Sequence, residues 1–229
     1  MAFAIIAAGG RGIRLGSPIP KFELELSGKP LLLYSLEAFE AAPSIESMVL
    51  VVPRERVGDW AVGRLHRLGI TKLSATVEGG ATRRESVGRG LRAMEGRSGT
   101  VVVHDAARPL VTTELVERAC EVPEGADGVI TALEVTDTVK EVDGAAVIAT
   151  LERERLVAVQ TPQAFRIDTL REAHAAAERD HFEGTDDASL VERLGGRVVV
   201  IDGSRDNIKV TYGEDLARAR AILLERSGG

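Results

Sequence analysis

Residues 3–21 read FAIIAAGGRGIRLGSPIPK, and this stretch decides the fold. An apolar run over residues 3–6 leads directly into a turn with four glycines in the eight positions 9–16, and Pro20-Lys21 follows. Glycine lets the backbone approach a ligand closely and turn its N–H groups toward anionic oxygens. The pattern therefore predicts a strand that ends in an anion-binding loop, with Arg14 and Lys21 supplying positive charge. A glycine-rich surface turn with solvated basic residues is the competing interpretation.

Two familiar nucleotide-binding fingerprints are missing from this turn. The spacing Gly10-x-Gly12-x-x-x-Gly16 lacks the third glycine of the dinucleotide motif, and the Gly-Lys-Ser/Thr of a P-loop does not occur. The turn therefore favours neither a dehydrogenase nor a P-loop NTPase.

Short apolar runs recur along the chain, and helical patterns separate most of them. The runs cover residues 3–6, 48–52, 73–77, 100–103, 128–133, 156–159 and 198–201, and two clear helical patterns cover residues 30–40 and 82–94. Thr82-x-x-Glu85 and Thr211-x-x-Glu214 are typical of capping boxes at helix starts. The alternation predicts an α/β fold: a Rossmann-like, mainly parallel sheet with helices on both faces and ligand-binding loops at the carboxyl ends of its strands.

The chain length of 229 residues fits a single domain, 1–229, with one insertion at about 135–155. In the insertion, two short strand patterns flank an Asp143-Gly144 turn, which predicts a projecting β-hairpin. An isolated two-stranded arm is marginally stable in water, so we expect it to pack on a second copy of the chain and form a homodimer.

The composition narrows the class of protein further. A net charge of −6 and 3% aromatic residues make a polymeric nucleic acid an unlikely partner. The longest apolar run, residues 1–8, is too short for a bilayer and lacks the flanks of a signal peptide, so we expect a cytoplasmic protein without a membrane partner. Cys120 is the single cysteine, which excludes an internal disulfide, and we expect it in the core. The four histidines lack metal-ligand spacing and are interpreted as structural or surface residues.

Five further segments follow the glycine turn in order. They read EGGATRRESV at 78–87, HDAARP at 104–109, DT at 137–138, QTPQ at 160–163 and DNIKVT at 206–211. As an ordered set spanning nearly the whole chain, they resemble the 2-C-methyl-D-erythritol 4-phosphate cytidylyltransferase family. The resemblance implies a Mg²⁺-dependent transfer of CMP from CTP to methylerythritol phosphate, a polyol phosphate, with release of pyrophosphate, on the non-mevalonate route to isoprenoids.

The resemblance also implies site residues. The catalytic residues by this match are Arg14, Lys21 and Lys209, whose charges would stabilise the negative charge that grows at the α-phosphorus. The nucleotide-binding residues by this match are Ala7, Ala8, Gly9, Gly10, Gly12, Gly79, Gly80, Ser86 and Asp105. Asp105 ends a buried strand pattern, so its carboxylate should reach the crevice and contact the metal or the substrate; a plain turn aspartate is the alternative. For Ser86, an improved helix start is the alternative role.

The acceptor site follows from the same match. Its residues are Asp105, Arg108, Thr138, Arg153, Thr161 and Lys209, and the family places the equivalent of Arg153 in the partner subunit. The neighbouring Arg155 is the alternative to Arg153, and either could be a solvated surface charge. Asp206 either orients Lys209 or approaches the metal. Residues 185–189 read as a helix N-cap without a catalytic role.

Two departures from the family pattern leave alternatives open. The family usually has Pro-Ala-Ala-Gly where this chain has Ala7-Ala8-Gly9-Gly10, and Ala-Gly-Gly is more similar to ribitol-5-phosphate cytidylyltransferases. Pro-Lys-Gln-Phe is replaced by PKFE at 20–23, which keeps the lysine. A nucleotide sensor without catalysis is the alternative from another class, and retention of Arg14, Lys21, Asp105 and Lys209 together argues against it.

Overall fold

A seven-stranded sheet forms the centre of the computed structural model, which describes residues 1–9 and 19–227. The sheet strands are β1 (Ala2–Ala7), β4 (Ile45–Val52), β5 (Leu73–Glu78), β6 (Thr100–Asp105), β7 (Gly128–Glu134), β10 (Val157–Arg166) and β11 (Val198–Asp202). Their spatial order is β11-β7-β10-β6-β1-β4-β5. Strand β10 is antiparallel to both of its neighbours, and the other adjacent pairs are parallel. The predicted mainly parallel sheet is thus confirmed.

Helices cover both faces of the sheet, as the alternating sequence pattern predicted. The helices are α1 (Leu31–Ala41), α2 (Val62–Arg67), α3 (Arg83–Arg92), α4 (Thr113–Cys120), α5 (Ile167–Arg179), α6 (Asp187–Arg193) and α7 (Gly213–Ser227). Side chains of β1 alternate between two cores: Ile6 packs with α1, α2 and α4, and Ile5 packs with α3, α5 and α6. Helix α7 covers a third apolar cluster around Leu26 and Val210.

The inserted segment forms a hairpin of its own. Strands β8 (Lys140–Asp143) and β9 (Ala146–Thr150) pair only with each other, between β7 and β10 in the chain. Val142, Val147 and Ile148 on this hairpin are each more than half exposed. A second small pair, β2 (Glu25–Leu26) and β3 (Lys29–Pro30), lies before α1.

Of the two predicted capping boxes, the one at Thr82 forms in a modified way, because Glu85 accepts the N–H of Ala81 rather than that of the cap residue Thr82. Thr82 Oγ1 accepts the backbone N–H of Glu85 at 3.2 Å, and the Glu85 carboxylate accepts that of Ala81 at 2.7 Å. At the second box, α7 begins at Gly213, one residue after the start that a cap at Thr211 implies, and the Thr211 hydroxyl donates to the carbonyl of Lys209 at 3.3 Å. The carboxylate of Asp215 instead accepts the N–H groups of Thr211 and Tyr212, at 2.7 and 2.8 Å.

Cys120 is the last residue of α4 and packs against the first core. Burial, with the nearby Glu117 carboxylate, raises the pKa of its thiol to about 12, which makes it a poor nucleophile at neutral pH. Within the described ranges, no helix combines the length and apolarity needed to cross a bilayer.

Candidate active site

A cavity of about 380 Å³ opens at the carboxyl ends of β1 and β6, where the strand pattern predicted the ligand-binding loops. Its walls come from the first turn of α3, the end of β6, the short 3-10 helix Lys21–Glu23 and the loop before α7. The described residues that line it are Ala7, Ala8, Gly9, Lys21, Phe22, Ala81, Thr82, Arg83, Ser86, Asp105, Ala106, Ala107 and Lys209. Gly10, Gly12 and Arg14, also predicted for this site, lie outside the described residues.

The glycines of two loops converge on the hydroxyl of Ser86. Gly80 N–H donates to Ser86 Oγ at 3.1 Å, and Ser86 Oγ–H donates to the carbonyl of Thr82 at 2.9 Å. A Cβ at Gly79 would lie 2.9 Å from Ser86 Oγ, and a Cβ at Gly9 would lie 3.0 Å from it. The absence of side chains there lets the β1 and β5 loops close around the start of α3. Of these three predicted nucleotide-binding residues, Ser86 is among the described residues that line the cavity, and Gly79 and Gly80 are not.

Asp105 is the charged centre of the cavity. Lys209 Nζ donates to its Oδ2 at 2.6 Å, and Arg83 Nε donates to its Oδ1 at 3.0 Å. Burial alone would raise the pKa of Asp105, but the charges of Arg83 and Lys209 outweigh it and hold that pKa well below the usual range. The carboxylate is therefore ionised throughout the physiological pH range.

Arg83 connects this carboxylate to a second one behind the cavity wall. Its Nη1 donates to Asp187 Oδ2 at 2.6 Å, and His174 Nε2 lies 2.9 Å from Asp187 Oδ1. Burial works against ionisation of Asp187, yet Arg83 and His174 lower its pKa. Residues 185–189 were interpreted as an N-cap alone; Asp186 does cap α6, accepting the N–H of Ser189, but Asp187 is buried in the charge network. His174 is a buried hydrogen-bond partner of that network.

Arg108, which is half-buried, lies next to the cavity-lining residue Ala107. Its Nη1 donates to the carbonyl of Asn207 at 2.8 Å and its Nη2 to that of Val159 at 3.4 Å. Burial lowers the pKa of this guanidinium. The charge of Arg83 lowers that pKa further, whereas the charge of Asp105 raises it. Arg108 is thus held against the loop that carries Lys209.

Thr161 supports Asp105 from behind. Asp105 N–H donates to Thr161 Oγ1 at 3.0 Å, and His104 Nδ1 lies 3.2 Å from the same oxygen. Burial lowers the pKa of His104 to about 4, so this imidazole is neutral and structural. Thr161 is buried and is not among the described residues that line the cavity.

Thr138 and Arg153 do not line the cavity of their own chain. Both belong to the segment around the arm; Thr138 is exposed, and Arg153 Nη1 donates to the carbonyl of Thr136 at 2.7 Å. Their predicted contact with the acceptor therefore requires a second copy of the chain or a movement of the arm.

Sequence reasoning missed Arg83 and Asp187, and for Arg83 a signal was available. A cation in the first turn of a helix opposes the helix dipole, so Arg83 in α3 is locally unfavourable and needs a buried partner. Asp187 gave no such signal, because an acidic residue in a first turn is favourable by itself. Its burial depends on the packing of α6 against α5.

The fold and the cavity together define the class of protein. A glycine-rich sequence after the first strand, with two lysines and a buried aspartate at the carboxyl edge of such a sheet, is the arrangement of an α/β nucleotidyltransferase, which transfers a nucleotidyl group by positioning and charge stabilisation. Residues 2–225 match the family model of 2-C-methyl-D-erythritol 4-phosphate cytidylyltransferase. The chain belongs to this family, as its motifs indicated.

Individual relatives agree with the family match. The chain is 45% identical to the 2-C-methyl-D-erythritol 4-phosphate cytidylyltransferase of Rubrobacter xylanophilus, over 98% of this chain and 96% of the relative. It is 41% identical to that of Geobacter metallireducens, over 98% of both chains. The crystal structure of the enzyme from Thermus thermophilus superposes with a TM-score of 0.77 at 33% identity, covering 96% of this chain and 97% of that one. These matches do not favour the ribitol phosphate enzyme or the nucleotide sensor.

Proposed function

We propose that this chain transfers CMP from CTP to 2-C-methyl-D-erythritol 4-phosphate and releases pyrophosphate, using the cavity around Asp105. One observation carries the proposal: Lys21 and Lys209 line the same cavity as Asp105, next to the turn that follows β1. An oxygen of the acceptor phosphate attacks the α-phosphorus of CTP, the bond to the β-phosphate breaks, and pyrophosphate leaves. No covalent enzyme intermediate is needed, so the chain needs cations and geometry rather than a nucleophile.

The lysines stabilise the charge that develops on the phosphates. Lys209 Nζ is hydrogen-bonded to Asp105, yet 46% of its side chain is exposed toward the cavity, so it can turn toward a phosphate oxygen. Lys21 follows Pro20 and precedes Phe22, which is buried against Trp60 and fixes the segment at the cavity rim. Arg14, by the family match, adds a third cation from the glycine turn.

Asp105 fits the role of a magnesium ligand. It is the one carboxylate among the described residues that line the cavity, and the described part of the chain has no cluster of three or more His, Cys, Asp or Glu residues suited to a metal. Mg²⁺ is commonly held by one or two carboxylates together with substrate phosphates, so a single ionised aspartate suffices. When bound, Mg²⁺ would neutralise phosphate charge and orient the triphosphate.

The cytosine and the acceptor take opposite ends of the site. Gly79, Gly80 and Ser86 offer backbone groups and a hydroxyl for the polar edge of the base. Arg108 borders the other end, where Thr161 holds the backbone of Asp105, and Arg153 and Thr138 of a second copy complete the acceptor pocket. This assigns the arm, residues 135–155, to dimer formation as well as to substrate binding. The cytoplasm remains the expected location of the enzyme.

A pyrophosphate-release assay tests the proposed reaction. With CTP and Mg²⁺, we expect release that depends on methylerythritol phosphate and is much slower with ribitol 5-phosphate at the same concentration. UTP in place of CTP tests the base site in parallel. Release with ribitol 5-phosphate alone would overturn the acceptor, and no release with either acceptor would overturn the catalytic function.

A further inference from the structure

The loop of residues 203–212, between β11 and α7, carries Lys209 into the cavity. Backbone hydrogen bonds hold it near its two ends. Gly203 N–H donates to the carbonyl of Ala132 at 2.7 Å, and Val210 N–H donates to that of Ala107 at 2.8 Å. The middle of the loop has no strand or helix of its own to fix it.

A buried amide on β10 holds the middle of this loop. Gln160 Nε2 donates to the carbonyl of Ser204 at 2.9 Å, and Gln160 Oε1 accepts the N–H of Ser204 at 3.2 Å. The side chain thus meets both backbone groups of one residue, as a neighbouring strand would. Its Oε1 also accepts from Asn207 Nδ2 at 3.3 Å.

Asn207 makes the second attachment, two residues before Lys209. Its Nδ2 donates to the carbonyl of Thr161 at 2.8 Å, and its own carbonyl accepts from Arg108 Nη1. Asn207 is fully buried and Gln160 is 6% exposed, so water does not readily replace these bonds. The two side-chain amides therefore connect the loop of Lys209 to β10 at Gln160 and Thr161, and the backbone carbonyl of Asn207 connects it to Arg108.

The close approach of the loop to Gln160 also explains why residue 203 is a glycine. A Cβ at Gly203 would lie 2.5 Å from Gln160 Oε1 and 3.0 Å from the carbonyl of Ala132. Any larger residue there would push the loop away from the Gln160 amide. The contact is thus built into the loop as well as into β10.

We propose that Gln160 and Asn207 are positioning residues for Lys209: by fixing the loop backbone, they place the lysine ammonium against Asp105 and the triphosphate. The proposal rests on the proposed function of Lys209. It differs from simple loop anchoring, because loss of an anchor that acts through Lys209 must cost activity only while Lys209 is present. A displacement of about 1 Å in a catalytic group can cost about a hundredfold in rate.

A double-substitution cycle tests the proposal. Gln160→Met keeps the length of the side chain and removes its hydrogen bonds, and we expect kcat/KM to fall roughly tenfold to a hundredfold with Lys209 intact. In the Lys209→Met background, measured at high enzyme concentration, the same change should lower kcat/KM by less than about twofold, since coupled residues are not additive. Asn207→Ala, carried through the same cycle, gives the same pattern and serves if Gln160→Met does not fold.

Glu117→Met is the matched control. Glu117 also holds a loop by two hydrogen bonds, to the N–H and hydroxyl of Ser44 at 3.0 and 2.6 Å, but away from the described cavity lining. We expect Glu117→Met to lower the melting temperature, as we also expect of Gln160→Met, but to leave kcat/KM unchanged. An equal fall for Gln160→Met in both backgrounds, or no fall with Lys209 intact, would overturn the positioning role. A normal kcat/KM for Lys209→Met alone would instead overturn the proposed function of Lys209.

Discussion

The Asp105 carboxylate is only 12% exposed and still carries a negative charge, because Arg83 and Lys209 each donate a hydrogen bond to one of its two oxygens. The sequence predicted the position of this aspartate at a strand end, and it identified Lys209 through the family motif. It did not predict that Arg83 would be the second partner, since 22 residues separate Arg83 from Asp105 in the chain. Pairing at that separation depends on how α3 packs on the sheet.

The acid dependence of stability should report this pairing. The usual pKa of the carboxyl is 3.8, and the folded chain holds it lower. As the pH falls below about 4, the unfolded chain takes up a proton that the folded chain does not bind, so the free energy of unfolding decreases. We expect a smaller decrease in Asp105→Asn, measured by urea unfolding between pH 5 and pH 3.

Lys209→Met is the companion variant for that measurement. Among the described hydrogen bonds to the Asp105 carboxylate, it leaves that of Arg83, so its decrease should lie between those of the wild type and Asp105→Asn. Identical pH profiles for all three chains would contradict the assigned pairing.

Helix α3 shows what an element contributes to the site. Its N-terminal turn carries Thr82, Arg83 and Ser86, all of which line the cavity. The capping box predicted its start, because the Thr and Glu spacing is a local signal. Strand β10 shows the opposite: the apolar run in the sequence ends at residue 159, and a proline such as Pro162 is unfavourable inside a central strand. A register shift between Val159 and Gln163 accommodates that proline, and the strand continues to Arg166.

The contribution of Thr82 to stability, as the N-cap of α3, can be measured separately from its contribution to nucleotide binding. Thr82→Ala and Thr112→Ala each remove an N-cap hydroxyl with the same 3.2 Å hydrogen bond, at the start of α3 and of α4. Both should lower the free energy of unfolding by about 1 kcal/mol. Because only Thr82 lines the described cavity, only Thr82→Ala should also weaken CTP binding in calorimetric titration. Equal CTP affinity in the two variants would remove the α3 start from the nucleotide site.

At the scale of the whole molecule, the arm is an element that its own chain does not cover. Its exposed valines and isoleucine pack on no other strand of the described chain, and Arg153 points to a carbonyl of the arm base rather than to the cavity. Burying this apolar surface against a second copy would stabilise both arms. The proposed exchange of arms would bring Thr138 and Arg153, the residues proposed for acceptor binding, to the cavity of a second copy.

Mixing two defective chains tests the exchange. Lys21→Ala removes a cation that stabilises the transition state, and Arg153→Ala removes the residue donated by the arm, so each chain alone should lose most of its kcat. After subunit exchange, each mixed dimer should contain one intact site, which restores about a quarter of wild-type activity in an equal mixture.

Arg155→Ala is the control for the loss of one positive charge from the arm without loss of Arg153. Arg155 is the neighbouring arginine, 81% exposed and paired with Glu152, and its loss should leave activity near that of the wild type. If tagged subunits demonstrably exchange and no activity returns, the sites are built within single chains.

The sequence by itself determined the class of fold and the hairpin arm, and it pointed to Lys21 and Lys209, which line the cavity, because strand and helix periodicities and short motifs are local patterns. Only the tertiary structure decided that Arg83 and Asp187 form the charge network behind Asp105, and that Gln160 and Asn207 hold the loop of Lys209. These contacts join residues 22 to 104 positions apart. Their formation depends on packing and on the burial of polar groups, which no local pattern encodes.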